Sequence, residues 1–158
     1  MKIFQIGKRK VGDKYPPLII AEIGINHFGS LKKAKKIVLA AKKSGAEAVK
    51  VQIHIPNEEM SEEAKFIKPG NSNKNIYKII KENSLSLKNE KKLKKFIEKN
   101  KLIYLATPFS YEAAKWLNQN KVKAFKIGSG ECNNIPLVKY ICSFGKPIIL
   151  STGMNTLN

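Results

Sequence analysis

Five short apolar segments recur along this chain, and each runs into polar side chains at its C-terminal end. They are Leu18 to Gly24, Ala48 to Ile53, Leu102 to Thr107, Ala124 to Ser129 and Pro147 to Thr152. Their ends carry Glu22, Asn26 and His27; Lys50, Gln52 and His54; Thr107; Lys126, Ser129 and Glu131; and Ser151 and Thr152. Parallel strands with chemically active groups at their carboxyl ends mark a (β/α) barrel or an open α/β sheet. The run Leu18-Ile19-Ile20-Ala21 is continuously apolar, as in a strand covered on both faces.

The intervals between these segments read as helices. Ser30 is an N-cap, Leu31, Ala34, Val38 and Ala41 share one face, and Gly45 stands where a C′ residue ends a helix. The strand from Ala46 to Val51 follows at once, completing one right-handed βαβ unit of roughly 35 residues. Residues 1–17 read as a hairpin with its turn near Gly7-Lys8-Arg9-Lys10. The longest interval, Pro56 to Ser86, is polar and turn-rich with a short helix from about Asn75 to Glu82, and such insertions carry binding loops in barrels. Helices follow at about Leu87–Lys99, Tyr111–Asn118 and Leu137–Ser143, with Gly145 as a second C′ residue. The reading is one α/β domain over residues 1–158.

Composition narrows the function. A hydrophobic content of 42% is that of a globular chain. No apolar run approaches the ~20 residues of a membrane span, and no signal peptide opens the chain, so a cytoplasmic location and no membrane partner are expected. The formal charge of +18 invites a nucleic-acid partner. Of 30 basic residues, however, only Arg9 is arginine, the side chain that reads bases and phosphates with a planar fork. The lysines of Lys88 to Lys95 surround an apolar stripe of Leu93, Phe96 and Ile97, as on a solvated helix. No nucleic-acid partner is expected. The alternative that the charge motivates is a non-catalytic basic binding module, which salt-sensitive oligonucleotide binding would reveal. Cys132 and Cys142 form no Cys-x-x-Cys pair and are expected to be reduced, partly buried thiols.

Lys50 and Lys126 each sit inside an apolar strand, where an unpaired ammonium is costly. Each therefore calls for an anion, or for a carbonyl substrate in Schiff-base chemistry. Glu22 has the same burial problem with opposite sign; beside the lysines or a metal it could position a water or accept a proton. Gly128-Ser129-Gly130-Glu131 is a Gly-rich turn that offers N–H groups and a hydroxyl to a phosphate or carboxylate. Thr107 and Ser151 repeat the hydroxyl at a strand end, although a helix cap explains any one of them equally well. His27 and His54 read as structural.

Five blocks then match a known family. Ala21-Glu22-Ile23-Gly24-Ile25-Asn26-His27, Val49-Lys50-Val51-Gln52, Ala106-Thr107-Pro108-Phe109, Lys126-Ile127-Gly128-Ser129-Gly130-Glu131-Cys132-Asn133-Asn134 and Gly145 to Met154 resemble bacterial sialic acid synthases, in order and over essentially the whole chain. The resemblance implies a TIM barrel followed by an antifreeze-like domain, and condensation of phosphoenolpyruvate with N-acetylmannosamine to N-acetylneuraminate and phosphate. It implies a divalent metal, manganese, that activates the sugar aldehyde, and a homodimer in the full-length form. Lys50, Thr107, Lys126, Ser129 and Ser151 match phosphoenolpyruvate contacts. Glu22 matches the catalytic residue near the metal and attacking water. Gln52, Glu131, Phe109 and Asn26 match the sugar side.

A TIM barrel has eight strands and about 250 residues. The chain is therefore expected to be the N-terminal part of such a barrel, incomplete at about five βα units, from a split or truncated gene. The resemblance puts the family's metal-binding histidines on strands beyond residue 158, so no metal ligand is expected here and the chain is expected to be inactive alone. A synthase for a related acid, legionaminic or pseudaminic, is the alternative within the same chemistry.

Overall fold

The computed structural model describes residues 3–156. It begins with an antiparallel hairpin of β1 (Phe4–Ile6) and β2 (Arg9–Val11), with Ile6 opposite Arg9. Arg9 and Lys10 thus belong to β2 rather than to the turn. Met1 and Lys2, the start of the expected hairpin, lie outside the described residues.

Next come β3 (Ile20–Gly24), α1 (Leu31–Lys43), β4 (Ala48–Ile53), α2 (Pro56–Glu59), a 3-10 turn at Glu62–Lys65, α3 (Ile76–Asn83), α4 (Leu87–Lys99), β5 (Ile103–Pro108) and α5 (Tyr111–Gln119). Then follow β6 (Phe125–Ile127), a 3-10 turn at Ser129–Glu131, α6 (Ile135–Cys142) and β7 (Ile148–Leu150). β3, β4 and β5 form a parallel sheet in that order, and β6 pairs with β7 in parallel. β6 lies beside β5, but no ladder joins them among the described residues. The result is a mixed α/β fold with parallel sheets.

Local chemistry sets the helix starts. The Ser30, Ser86 and Ser110 hydroxyls accept from the N–H of Lys33, Asn89 and Ala113, the N-cap arrangement. Asn75 and Asn134 cap α3 and α6 in the same way. Gly45, with φ +88, is the C′ residue of α1 after Ser44. α6 begins two residues earlier than its apolar pattern implied, with Pro136 in its first turn, and its C-cap is Ser143, so Gly145 falls one position beyond C′.

Alternation along the strands separates two cores. Val49, Val51, Ile53, Tyr104, Ala106, Phe125 and Ile127 pack outward against Ala34 and Val38 of α1, Leu93 and Ile97 of α4, and Leu137 and Ile141 of α6. Full burial of a side chain such as Leu93 contributes roughly 1.5–3 kcal/mol. On the other side, Ala48, Leu105 and Ala124 meet Ile6 of the hairpin, with Ile20, Ile103 and Ile149 around them. The hairpin thereby closes the amino end of the strands. Arg9 holds it there, donating to both carboxylate oxygens of Glu47 at 2.7 and 3.1 Å and to the Pro16 carbonyl at 2.8 Å.

Two expectations about burial need correction, and one burial was not anticipated. Ile19 precedes β3 and is 53% exposed, because β3 is an edge strand among the described residues. Cys142 is exposed, and both cysteines are free. Glu90 on the lysine-rich α4 is buried, at 2% exposure.

Candidate functional site

Inward-facing residues change character along the strands. At the amino end they are Ala48, Leu105 and Ala124, an apolar floor. One step further toward the carboxyl ends stand Glu22, Lys50, Thr107, Lys126 and Ser151. Strand register places Glu22 opposite Lys50 and Gln52 opposite Thr107. Between Glu22 and Gly24 the register shifts, β3 advancing two residues against one of β4. Gly24 has φ +47, which a glycine adopts without strain, and its N–H donates to Glu22 Oε1 at 3.0 Å. This bulge holds the Glu22 carboxylate over the strand end.

Lys50 Nζ pairs with Glu22 Oε2 and donates to Thr107 Oγ1 at 3.4 Å. Lys126 Nζ donates to the Ile127 carbonyl and to Ser151 Oγ at 2.6 Å. Burial holds the Lys126 ammonium below the usual lysine range; the Lys50 charge lowers it further, and Glu22 partly opposes both. The two lysines therefore feel one another across the floor. Each ammonium carries three donors and two are used here, so a shared anion would relieve their repulsion and take up the free donors.

The structure brings together Glu22, Lys50, Thr107, Lys126 and Ser151. It revises the readings of Glu22 and of the Gly-rich turn. Glu22 does not carry the expected burial cost, since its side chain is 51% exposed. The Gly-rich turn is less open than its glycines imply: Gly128 has φ −68, and the N–H groups of Glu131 and Cys132 close the 3-10 turn onto the Gly128 and Ser129 carbonyls. Ser129 is half-buried at the mouth of this turn. Glu131 accepts from the Asn134 side chain at 2.9 Å, which ties it to the start of α6. Asn26 is exposed in the turn after β3. Ser110 proves to be a cap, whereas Thr107 is buried within β5.

His54 continues the inner row of β4 after Lys50 and Gln52. Its Nδ1 lies 2.7 Å from Glu59 Oε1, and its ring stacks on Phe109 with centroids 4.3 Å apart. Sequence reasoning passed over this pair. The alternation Ala48, Lys50, Gln52, His54 was the available signal, but the partner Glu59 arrives through the turn into α2 and has no periodic signature. His27 is fully buried in the loop after β3, and burial lowers its pKa. Among the described residues no three His, Cys, Asp or Glu side chains gather as a metal site would require. The described residues therefore do not by themselves fit a divalent ion. A cavity of about 320 Å³ lies at the other end of the strands, lined by Ile6, Arg9, Tyr104 and Lys123, away from this chemistry. No helix among the described residues is long and apolar enough to cross a membrane.

Parallel βα units that present two lysines, a carboxylate and hydroxyls at one end define an α/β scaffold of the kind that binds small anionic substrates at its strand ends. The comparisons make the class specific. The NeuB family model matches residues 37–158, and the chain belongs to that family. It is 40% identical over 144 residues to N,N'-diacetyllegionaminic acid synthase of Campylobacter jejuni, covering 89% of this chain and 43% of that one. It is 36% identical over 157 residues to the uncharacterized protein MJ1065 of Methanocaldococcus jannaschii, covering 99% of this chain and 44% of the relative. Its fold matches the crystal structure of N-acetylneuraminic acid synthetase from Leptospira borgpetersenii with a TM-score of 0.85 at 29% identity, over 99% of this chain and 51% of that chain. The chain thus spans less than half the length of the curated relatives named here.

Proposed function

We propose that this chain carries the phosphoenolpyruvate half-site of a nonulosonic acid synthase. The reaction joins carbon 3 of phosphoenolpyruvate to the aldehyde of an N-acylated amino sugar, adds water at carbon 2 and releases phosphate by C–O cleavage. N-acetylmannosamine is the acceptor and N-acetylneuraminate the product in the leading reading; legionaminic or pseudaminic acid is the alternative product. The observation that carries it is the pair of partly buried lysines, each with a hydroxyl partner, over an apolar floor. Lys50 and Lys126 hold the carboxylate and phosphate charges of the substrate, and Thr107, Ser129 and Ser151 orient its oxygens. The desolvated surroundings strengthen these contacts relative to water. Glu22, half exposed above them, stands where a carboxylate can accept a proton from an attacking water.

Gln52, Phe109, Glu131 and Asn26 form the sugar side, and the longer polypeptide of the family acts as a homodimer in the cytoplasm. The manganese of the proposed reaction draws its ligands from outside the described residues, and the 158-residue polypeptide binds phosphoenolpyruvate without turning it over. Titration calorimetry with phosphoenolpyruvate tests the reading: binding that is lost in Lys126→Met and in Lys50→Met supports it. Binding that persists in both variants, or manganese-dependent phosphate release by the unmodified chain, overturns it.

A further inference from the structure

A buried imidazole held on three sides stands next to the sugar side of the site. His54 is 9% exposed. Its Nδ1 lies 2.7 Å from Glu59 Oε1, and the other Glu59 oxygen accepts the Ile55 N–H at 3.2 Å. The Glu59 side chain is only 4% exposed. The ring face stacks on Phe109 with planes 12° apart, so the ring cannot rotate without breaking that contact. The remaining polar atom, Nε2, faces Gln52 Oε1 at 3.4 Å.

This arrangement restricts Gln52. An amide side chain has a donor end and an acceptor end, and a neighbour fixed in place selects which end turns toward it. Nδ1 donates to the Glu59 carboxylate, so a proton on Nε2 as well makes the ring an imidazolium paired with Glu59; the Gln52 oxygen then faces His54, as it does here, and the NH₂ group is left for the cleft. The Gln52 oxygen also lies beside Gly24 and Glu22: a Cβ on Gly24 would stand 3.5 Å from Gln52 Oε1 and 3.6 Å from Glu22 Oε1. Gln52 is therefore held in the row of Glu22 and Lys50, with one defined hydrogen-bonding sense.

We propose that His54, held by Glu59, is a positioning residue: it turns the Gln52 amide so that Gln52 donates to an oxygen of the N-acylated amino sugar. The proposal rests on the synthase reading for the identity of that ligand. It does not rest on it for the His54–Gln52 coupling. His54→Asn retains a donor for Glu59 but is too short to reach Gln52, whereas His54→Gln spans the distance of Nε2.

The test uses the ¹⁵N-labelled 158-residue chain, with the Gln52 side-chain NH₂ signals assigned through Gln52→Asn. His54→Asn should shift those signals while the backbone signals of the strands and the ring signals of His27 stay in place. His54→Gln should return them toward the native position. In titrations, His54→Asn should weaken N-acetylmannosamine binding by about tenfold and phosphoenolpyruvate binding by less than about twofold, the loss of one hydrogen bond confined to one substrate. Unmoved Gln52 signals in a folded His54→Asn chain, or equal weakening of both ligands, overturn the proposal. If neither ligand binds the native chain, the synthase reading falls, while the Gln52 signals still decide the coupling.

Discussion

Glu90→Gln isolates a carboxyl whose proton uptake is built into the fold. Glu90 lies on α4, 2% exposed, beside the Tyr104 hydroxyl of β5, yet its Oε2 and the Tyr104 oxygen complete no hydrogen bond of good geometry. Burial pushes its pKa up to about 8 from an ordinary 4.5, Tyr104 opposing this only in part. The folded state therefore holds the proton more tightly than the unfolded chain. The associated stability is complete below about pH 4.5 and is lost as pH rises through about 8. Over that window the loss reaches about 5 kcal/mol as an upper bound, at 1.36 kcal/mol for each pH unit separating the two values. Gln has the same shape and never ionises. Urea unfolding at intervals from pH 5 to pH 9 should show native stability falling with a slope approaching ~1.4 kcal/mol per pH unit relative to the variant. The variant should be within about 1 kcal/mol of native at pH 5 and several kcal/mol more stable at pH 9. Other titrating groups act on both proteins alike, so the difference between the curves belongs to Glu90. Parallel curves across the whole range would refute the argument.

Other consequences can be measured separately. Phosphoenolpyruvate affinity, followed by calorimetry, should fall as pH rises past the lowered Lys126 pKa, and Lys126→Met should remove that pH dependence together with the binding. Gly29→Ala should destabilise the fold by about 1–3 kcal/mol, since φ is +70 and a Cβ would stand 2.6 Å from the Glu82 carbonyl oxygen; a change in melting temperature within error would contradict this. Ser110→Ala removes the α5 N-cap and should cost about 1–2 kcal/mol in denaturant unfolding while leaving phosphoenolpyruvate affinity unchanged, which separates the cap from the neighbouring ligand groups.

Much of this could be read from local chemistry. Ser30 and Ser86 begin their helices as their side chains require, and Leu87–Lys99 matches its apolar stripe residue for residue. Lys50 and Lys126 stood out because an ammonium inside an apolar strand needs a partner. What escaped depended on which surfaces meet. Nothing in Leu18 to Ala21 reveals that β3 is an edge, so Ile19 was expected to be covered. Glu90 stands three residues before Leu93 and seven before Ile97, on the stripe that α4 buries; reading the helix by its lysines concealed it. Glu59 meets His54 only because α2 turns back over the end of β4, a local turn closure that no period of 2 or 3.6 encodes.

The two-sidedness of β4 sets how this strand can change over generations. At Val49, Val51 and Ile53 a substitution is judged by volume, because those side chains fill the space under the helices. At Lys50, Gln52 and His54 it is judged by charge and hydrogen bonding. One inserted residue would exchange the two sets, placing an ammonium and an imidazole under α1 and α4 and three aliphatic groups in the cleft. Along these residues, selection for a folded chain also guards the site, and a scan of all substitutions should show tolerance that alternates in kind from one position to the next.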